Sequence, residues 1–317
     1  MEFRPLTLAD APEVADLINR YERFWGLPTM TAVREIEDDF GEPFITLELD
    51  TRGYWLEGKL IGYGMVHHRP SGEREERVHL DGTVDPDFRG QGIGRHMLAW
   101  EMERGTESVA GSDPSIPWYL RTATLDWIED NFRLYRRFGI EPVRYIKEMI
   151  RPLDDPVEPR RPEGVDIIPW DRTRDEATRL ALNEAFVDHW GSIPMAADAF
   201  KHRIERSATR LDLSFQAIDG DEVVGYSLNE IYPEDEKVTG RREGWVASLG
   251  VRRPWRGRGV ASALLEHSFN AFIDAGMTHS MLGVDTENPT GAFSVYENVG
   301  YEPLHTIVLS QLQVTPG

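Results

Sequence analysis

The segment FRGQGIG at 88–94 returns as WRGRGVA at 255–261, placing Arg89 and Arg256 at an offset of 167 residues. Three further pairs keep the same order. FWGLPTM at 24–30 answers HWGSIPM at 189–195, LIGYG at 60–64 answers VVGYS at 223–227, and LYRRFGI at 134–140 answers VYENVGY at 295–301, at offsets of 165, 163 and 161. A period of this size is a duplicated fold and not a solenoid. The halves meet at RPLDDPVEPRRPEG, 151–164, where proline and dense charge block helix and sheet alike. We read a first domain over 1–152, a proline-rich linker over 153–163 and a second domain over 164–317.

Each half carries its elements in one order. Ala11–Arg23 places Val14, Leu17, Ile18 and Tyr21 at helical spacing, and Asp175–Val187 repeats the pattern. Strands follow at Phe44–Leu49 and Tyr54–Leu56, a turn at Gly58-Lys59, then a strand at Leu60–His67. In the second half Ser214–Ile218 turns at Asp219-Gly220-Asp221 into Val223–Ile231. A further strand, Arg77–Val84 or Gly244–Val251, runs straight into the glycine segment. An amphipathic helix comes next, Arg95–Glu103 or Ser262–Asp274. After it come a strand (Trp118–Thr122; Met281–Asp285), a helix holding Tyr135 or Tyr296, and a final strand. The class is mixed α/β, with a strand–glycine turn–helix unit at the centre of each half.

Composition narrows the function. The 317 residues are 40% hydrophobic and 28% charged, enough apolar material for two cores. No run of 18 apolar residues is present and the first residues are charged, which argues against a spanning or secreted chain. With no cysteine, disulfides, thiolate metal sites and a Cys nucleophile are removed, and a cytoplasmic location suits the chain. The net charge is −20. Residues 1–151 carry 19 basic and 28 acidic groups, a balance of −9, and residues 152–317 carry 16 and 27, a balance of −11. Neither half is a basic arm, so nucleic acid is a poor partner, whereas cationic amines are drawn in.

Gly90, Gly92 and Gly94, and then Gly257, Gly259 and Ala261, have little or no side chain to block an approaching ligand. The helix that follows adds unpaired N–H groups and a positive dipole end. Arg89, Gln91, Arg256 and Arg258 add polar and cationic side chains. Together these make a pyrophosphate cradle in an otherwise acidic molecule. A dinucleotide fingerprint would need glycine at Met97, and neither copy has the Lys-Ser/Thr ending of a nucleotide P-loop. A lone copy could be a tight turn before a helix. Two copies, each after an apolar strand, favour the cradle.

Arg-Gly-Gln-Gly-Ile-Gly and Arg-Gly-Arg-Gly-Val-Ala resemble the Arg/Gln-x-x-Gly-x-Gly/Ala motif of the GNAT acetyltransferase superfamily. GVDTENPTGAFSVYENVGYEP at 283–303 is similar to its downstream Asn…Ala…Tyr-Glu-x-x-Gly-Tyr/Phe segment. The resemblance spans both halves, and the tandem arrangement is similar to that of two-domain bacterial members. It implies two GNAT-like domains, each a mixed, mostly antiparallel sheet flanked by helices, with one strand pair splayed apart. It also implies acetyl-CoA as donor, an amine as acceptor, and a pantetheine arm lying in the splay like an added strand. By position, Leu249 and Val251 would offer backbone groups to that arm, Gly82 and Val84 would do so in the first half, and Asn288 would hold the arm. Tyr296 sits where the family places the acid that protonates the leaving thiolate, with Tyr135 as its counterpart.

The residues set limits on the chemistry. Without cysteine, direct attack by the bound amine is the simpler path. A phenol titrating near about 10 can donate to a thiolate whose acid titrates near about 8.5. For Tyr135 the packing of an aromatic helix residue competes with the acid role. The first half also lacks an Asn in the register of Asn288, because Asn131 lies only four residues before Tyr135. The base is open between Glu243, leading into the cradle strand, and Glu230. A solvated strand-end carboxylate beside Arg241 and Arg242 is the plain alternative for Glu243. His79 and Asp81 lie on the corresponding first-half strand, next to a charge run at Glu73, Glu75 and Glu76. Trp25 and Trp190 could wall an acceptor pocket, though a core or lid role competes. His67 and His68 are adjacent on a strand and point to opposite faces, so no metal site is expected. The expectation is an acetyl-CoA-dependent N-acetyltransferase whose second domain is catalytic. Catalysis by the first domain, or a CoA-binding module without turnover, is the alternative.

Overall fold

A computed structural model describes residues 2–68, 75–287 and 292–315. The chain forms two compact units, one of Met1–Tyr145 with Ile307–Gly317, the other of Ile146–Thr306.

In the first unit β1 (Glu2–Arg4) leads to α1 (Ala11–Trp25), α2 (Val33–Phe40) and a single turn, α3 (Leu47–Asp50). Then follow β2 (Thr51–Leu56), β3 (Lys59–His68), β4 (Glu76–Val84), α4 (Ile93–Ser108), β5 (Trp118–Leu125) and α5 (Glu129–Arg137). The sheet runs β1-β2-β3-β4-β5, antiparallel except for the parallel β4/β5 pair. The α1 helix ends because Gly26 takes φ +66°, a left-handed C-cap that suits glycine. Its Val14 and Leu17 are buried against Ile36, Leu60 and Met65. The β2–β3 turn is Glu57-Gly58, both at positive φ, one residue earlier than expected because Lys59 already pairs with Leu56. The strand expected at Phe44–Leu49 is absent. Asp50 accepts from the Thr46 N–H at 2.7 Å and closes α3, a local side-chain bond that competes with extended backbone.

The second unit opens on β6 (Glu141–Pro152), then β7 (Asp166–Pro169), α6 (Asp175–Ala185), α7 (Ala197–Glu205), β8 (Phe215–Asp219) and β9 (Glu222–Ile231). It continues through α8 (Glu236–Thr239), β10 (Glu243–Val251), α9 (Val260–Asp274), β11 (His279–Asp285) and α10 (Ala292–Asn298) to β12 (Glu302–Val314). Its sheet runs β6-β11-β10-β9-β8-β7. Only β10/β11 is parallel among the strand pairs described in it.

The last strand of each half in sequence completes the other unit. From Ile307 onward β12 pairs antiparallel with β5, and from Ile146 onward β6 pairs antiparallel with β11. Side chains follow the backbone. Met149 of β6 is fully buried with Phe269, Phe272 and Leu282. Leu312 and Val314 of β12 pack on Trp118, Leu120 and Ile140. The proline-rich segment after β6 is strapped to the second unit. Val157 exchanges two hydrogen bonds with Asn270 of α9, and Arg160 pairs with Glu266 at 3.0 Å.

Both parallel pairs come apart. β4 and β5 are in register only from Glu76/Trp118 to His79/Arg121, and β10 and β11 only from Glu243/His279 to Trp245/Met281. Leu80–Val84 and Val246–Val251 therefore run on with one sheet edge unpaired. In β10 a bulge between Val246 and Ser248 adds local bend at the point where the strands separate. This is the splayed strand pair of the expected fold, present twice.

Candidate active site

Each splayed strand feeds the glycine turn through one helical turn, Pro86–Phe88 or Arg253–Trp255. Gly90 and Gly92 take φ +75° and +87°, and Gly257 and Gly259 take +75° and +81°. That left-handed region is reached at little cost only by glycine. A Cβ on Gly90, Gly257 or Gly259 would meet no atom within 4 Å, so conformation and open space, not packing, require glycine there. Alternating left-handed residues direct successive N–H groups to one side, an anion-binding nest. No side chain caps the first turn of α4 or α9, which leaves those N–H groups to a ligand.

The arginines divide the work. Arg256 donates to the carbonyls of Val251 (3.1 Å) and Ala185 (2.7 Å), clipping the turn to the end of β10 and to α6. Arg89 pairs with Asp130 and lies over the Phe24 and Trp25 rings at 4.7 and 5.0 Å. Arg258 has no ion-pair partner among the described residues and is the cation left beside the second turn.

A cavity opens at each splay. The first, about 460 Å³, is bounded among others by Gly82, Val84, Gly92, Glu101, Trp25 and Tyr135. The second, about 260 Å³, is bounded by Leu249, Val251, Gly257, Gly259, His189 and Tyr296. The two tyrosines differ. The Thr122 hydroxyl donates to the Tyr135 oxygen at 2.9 Å, and burial pushes the Tyr135 phenol well up. Tyr296 is half-buried, lies edge-on to Tyr301, and its hydroxyl has no hydrogen-bond partner among the described residues. Burial lifts its phenol to about 12, so it is protonated throughout the neutral range. Asn288 lies outside the described residues. Asn131 donates to Tyr21 and Thr124 at 3.0 and 2.9 Å.

Glu243 does not line the second cavity. It is buried at the paired end of β10 and bonded to Arg241 at 2.6 Å. Burial raises it above the usual carboxylate range despite that arginine. Its charge acts on Glu148 of β6, which burial first and Glu243 second push up to about 7. Glu148 stands opposite Gly283 in the β6/β11 register. Met149, its neighbour, points into the α9 core, so Glu148 faces the other side of the sheet. Glu230 accepts from the Tyr232 hydroxyl at 2.7 Å. Glu76 is buried beside His68 rather than solvated with a charge run, and Glu73 lies outside the described residues. His67 and His68 pair separately, with Glu42 and Glu76.

Several residues gave no sequence signal. Glu101 and Thr122 reach the first cavity from a helix and a strand that sequence spacing does not relate. Glu148 belongs to the first half in sequence and to the second unit in space. Asn19 clips Thr31 with two hydrogen bonds and Asn183 clips Met195 in the same way. This closes the repeated Trp-Gly segment onto α1 and α6.

The comparisons agree with this geometry. The model of the acetyltransferase (GNAT) family matches residues 12–139 and 176–301, once in each half. Mycothiol acetyltransferase of Thermobispora bispora is 30% identical over 225 residues, covering 69% of this chain and 70% of that one. The protein of the same name in Streptomyces coelicolor is 28% identical over 260 residues, covering 77% and 73%. A solved GCN5-related N-acetyltransferase from Sphaerobacter thermophilus aligns at TM-score 0.75 and 28% identity, over 100% of this chain and 96% of that one. A tandem GNAT protein from the clavulanic acid biosynthesis pathway aligns at 0.74 and 15% identity, over 100% and 99%, and shares the fold. Among the described residues no helix is long and apolar enough to cross a membrane. Two matches of one family model, on two splayed sheets each closed by a left-handed glycine turn, make the chain a tandem member of the GNAT family, an N-acetyltransferase.

Proposed function

We propose that the second unit transfers an acetyl group from acetyl-CoA directly to a primary amine of a small molecule or peptide. The observation that carries this reading is the unbonded Tyr296 hydroxyl in a cavity that ends at an open glycine turn. Phosphates seat on the N–H groups of Gly257–Ala261 with Arg258 beside them, and the pantetheine arm adds along the free edge of Leu249–Val251. Tyr296 then protonates the thiolate as it leaves. An incoming ammonium must lose a proton first. Glu243 and Glu148 repel one another, so one of them holds or releases a proton near neutral pH, a poise that suits a base on the face opposite α9. The acidic surface favours cationic acceptors by steering more than by affinity.

The first unit supports a second reading, binding of a CoA compound without turnover. It keeps the turn and the splay, but the Tyr135 oxygen is engaged by Thr122. Thiol release from acetyl-CoA, followed with a panel of amines, tests the proposal. Tyr296→Phe should lower kcat and kcat/KM together by about 10²–10⁴, with acetyl-CoA affinity nearly unchanged. Full activity in that variant would remove Tyr296 from the chemistry.

A further inference from the structure

The first cavity holds a group that the transfer chemistry above does not use. Glu101, on α4, is 3% exposed and its Oε1 has no hydrogen-bond partner among the described residues. A buried polar atom left without a partner is costly and rare in native structures. The space around it is kept by glycine. A Cβ on Gly64 or Gly82 would lie 2.6 or 2.7 Å from Oε1, so neither strand position tolerates even alanine while the carboxyl stays in place.

The second unit shows the same three positions without this arrangement. By the repeat offsets Gly64, Gly82 and Glu101 correspond to Ser227, Leu249 and Ser268. There Ser227 donates to Asn229, Asn229 donates to Ser268, and Ser268 donates to the Leu264 carbonyl, each at 2.9 Å. That network is closed on itself. The first unit replaces it with one carboxyl, two glycines and a larger cavity, about 460 against about 260 Å³.

We infer that the inner end of the first cavity binds a primary ammonium group against the Glu101 carboxyl. This rests on the reading of the glycine turns as phosphate sites. Glu101 is nine residues along α4 from Gly92, about 13 Å of helix, and so lies at the acyl end of a donor whose phosphates occupy the turn. The sign of the ligand's charge follows from the neighbours. Burial pushes Glu101 well above the usual carboxylate range, and the Asp81 carboxyl pushes it further. Unliganded, Glu101 therefore keeps its proton; an ammonium brought against Oε1 favours loss of that proton and pairs with the carboxylate it leaves, a gain that an anionic acyl group cannot make. The ammonium is borne either by the acyl group of a thioester or by a separate amine entering beside the donor.

Titration calorimetry with β-alanyl-CoA and butyryl-CoA separates these cases. The two thioesters match in length and differ in a terminal ammonium against a methyl. The wild-type chain should bind β-alanyl-CoA about tenfold or more tightly than butyryl-CoA, the range for a hydrogen bond to a charged group. Glu101→Gln should abolish the preference and Glu101→Leu should reverse it, with acetyl-CoA still bound by both variants. If the thioesters bind equally, but n-propylamine binds the acetyl-CoA-saturated protein in a Glu101-dependent way, the ammonium belongs to a separate molecule. Equal thioester affinities together with no Glu101-dependent amine binding would overturn the inference alone. Failure of every CoA compound to bind would overturn the donor-site reading and the inference with it.

Discussion

Tyr135 and Tyr296 occupy the same place in two copies of one helix, yet only one hydroxyl is free to act. Tyr135→Phe removes the oxygen that accepts from Thr122, leaving a hydroxyl unpaired in a buried site. It should cost about 1 kcal/mol of stability in a urea melt and leave turnover near wild type. A dead Tyr135→Phe beside an active Tyr296→Phe would assign catalysis to the first unit. Glu148 makes a pH prediction. Its folded-state pKa is raised from the ordinary 4.5 to about 7, so the neutral form favours folding. That stability is complete below about 4.5 and is lost as pH rises through about 7. Linkage caps the loss at about 3 kcal/mol, and partial exposure brings it to about 1–2 kcal/mol. Glu148→Gln should therefore flatten the pH dependence of the unfolding free energy between pH 5 and 8 and stabilise the chain at pH 8. A wild-type slope retained in the variant would mean that Glu148 is not the group whose titration is shifted by folding. The tyrosines were legible in sequence because a repeated motif marked them. Glu101, Thr122 and Glu148 were not, because their meaning comes from neighbours distant along the chain.

At the scale of elements, the strand–glycine turn–helix units were readable because each demands a residue type that no substitute supplies. Gly92 and Gly259 hold φ +87° and +81°, and a run of such glycines between an apolar strand and an amphipathic helix is hard to reconcile with a plain loop. Alanine at Gly259 meets no atom within 4 Å, so it costs only conformational strain, roughly 1–2 kcal/mol. Valine at either position adds bulk over the N–H groups. Gly259→Val should abolish acetyl-CoA binding at the second unit and Gly92→Val at the first. Gly259→Ala should weaken binding while the fold survives. Calorimetry that finds wild-type affinity and stoichiometry in both valine variants would remove the turns as phosphate sites. Errors fell where local bonds decide. The Asp50 side chain turned an expected strand into α3, and Lys59 entered its ladder one residue early. Periodicity reports which face is buried, and says little about a side chain that bonds its own backbone.

At the scale of the molecule, duplication was plain in sequence, but the exchange of final strands was not, because β6 and β12 resemble one another and either could pair with either neighbour. Side chains decide the matter. Arg121, 2% exposed, donates from Nε and Nη2 to Gln311 of β12 at 3.2 and 2.6 Å. Pairing of β6 with β5 in the same register would put Ile150 there and remove that acceptor. In the other unit Arg151 of β6 donates to the Val299 carbonyl at 2.7 Å and lies over Phe269 at 4.3 Å. With β12 in place of β6, Leu312 would stand there and Ser310 would replace the buried Met149. Cutting the chain in its linker should therefore not release two stable domains. A fragment of residues 1–152 should lose several kcal/mol in a urea melt, of a total near 5–15. Arg121 keeps its ion pair with Glu75 at 3.5 Å but loses its hydrogen bonds to Gln311, worth about 1.5–3 kcal/mol, and the packing of Leu312 and Val314 goes with them. Coexpression with 164–317 should restore stability and give a one-to-one complex on size exclusion. Ile150→Gln in the isolated fragment should recover part of the loss by returning an acceptor to Arg121. If 1–152 alone were a monomer as stable as the first unit in the intact chain, the exchange would be a matter of connectivity and not of sequence.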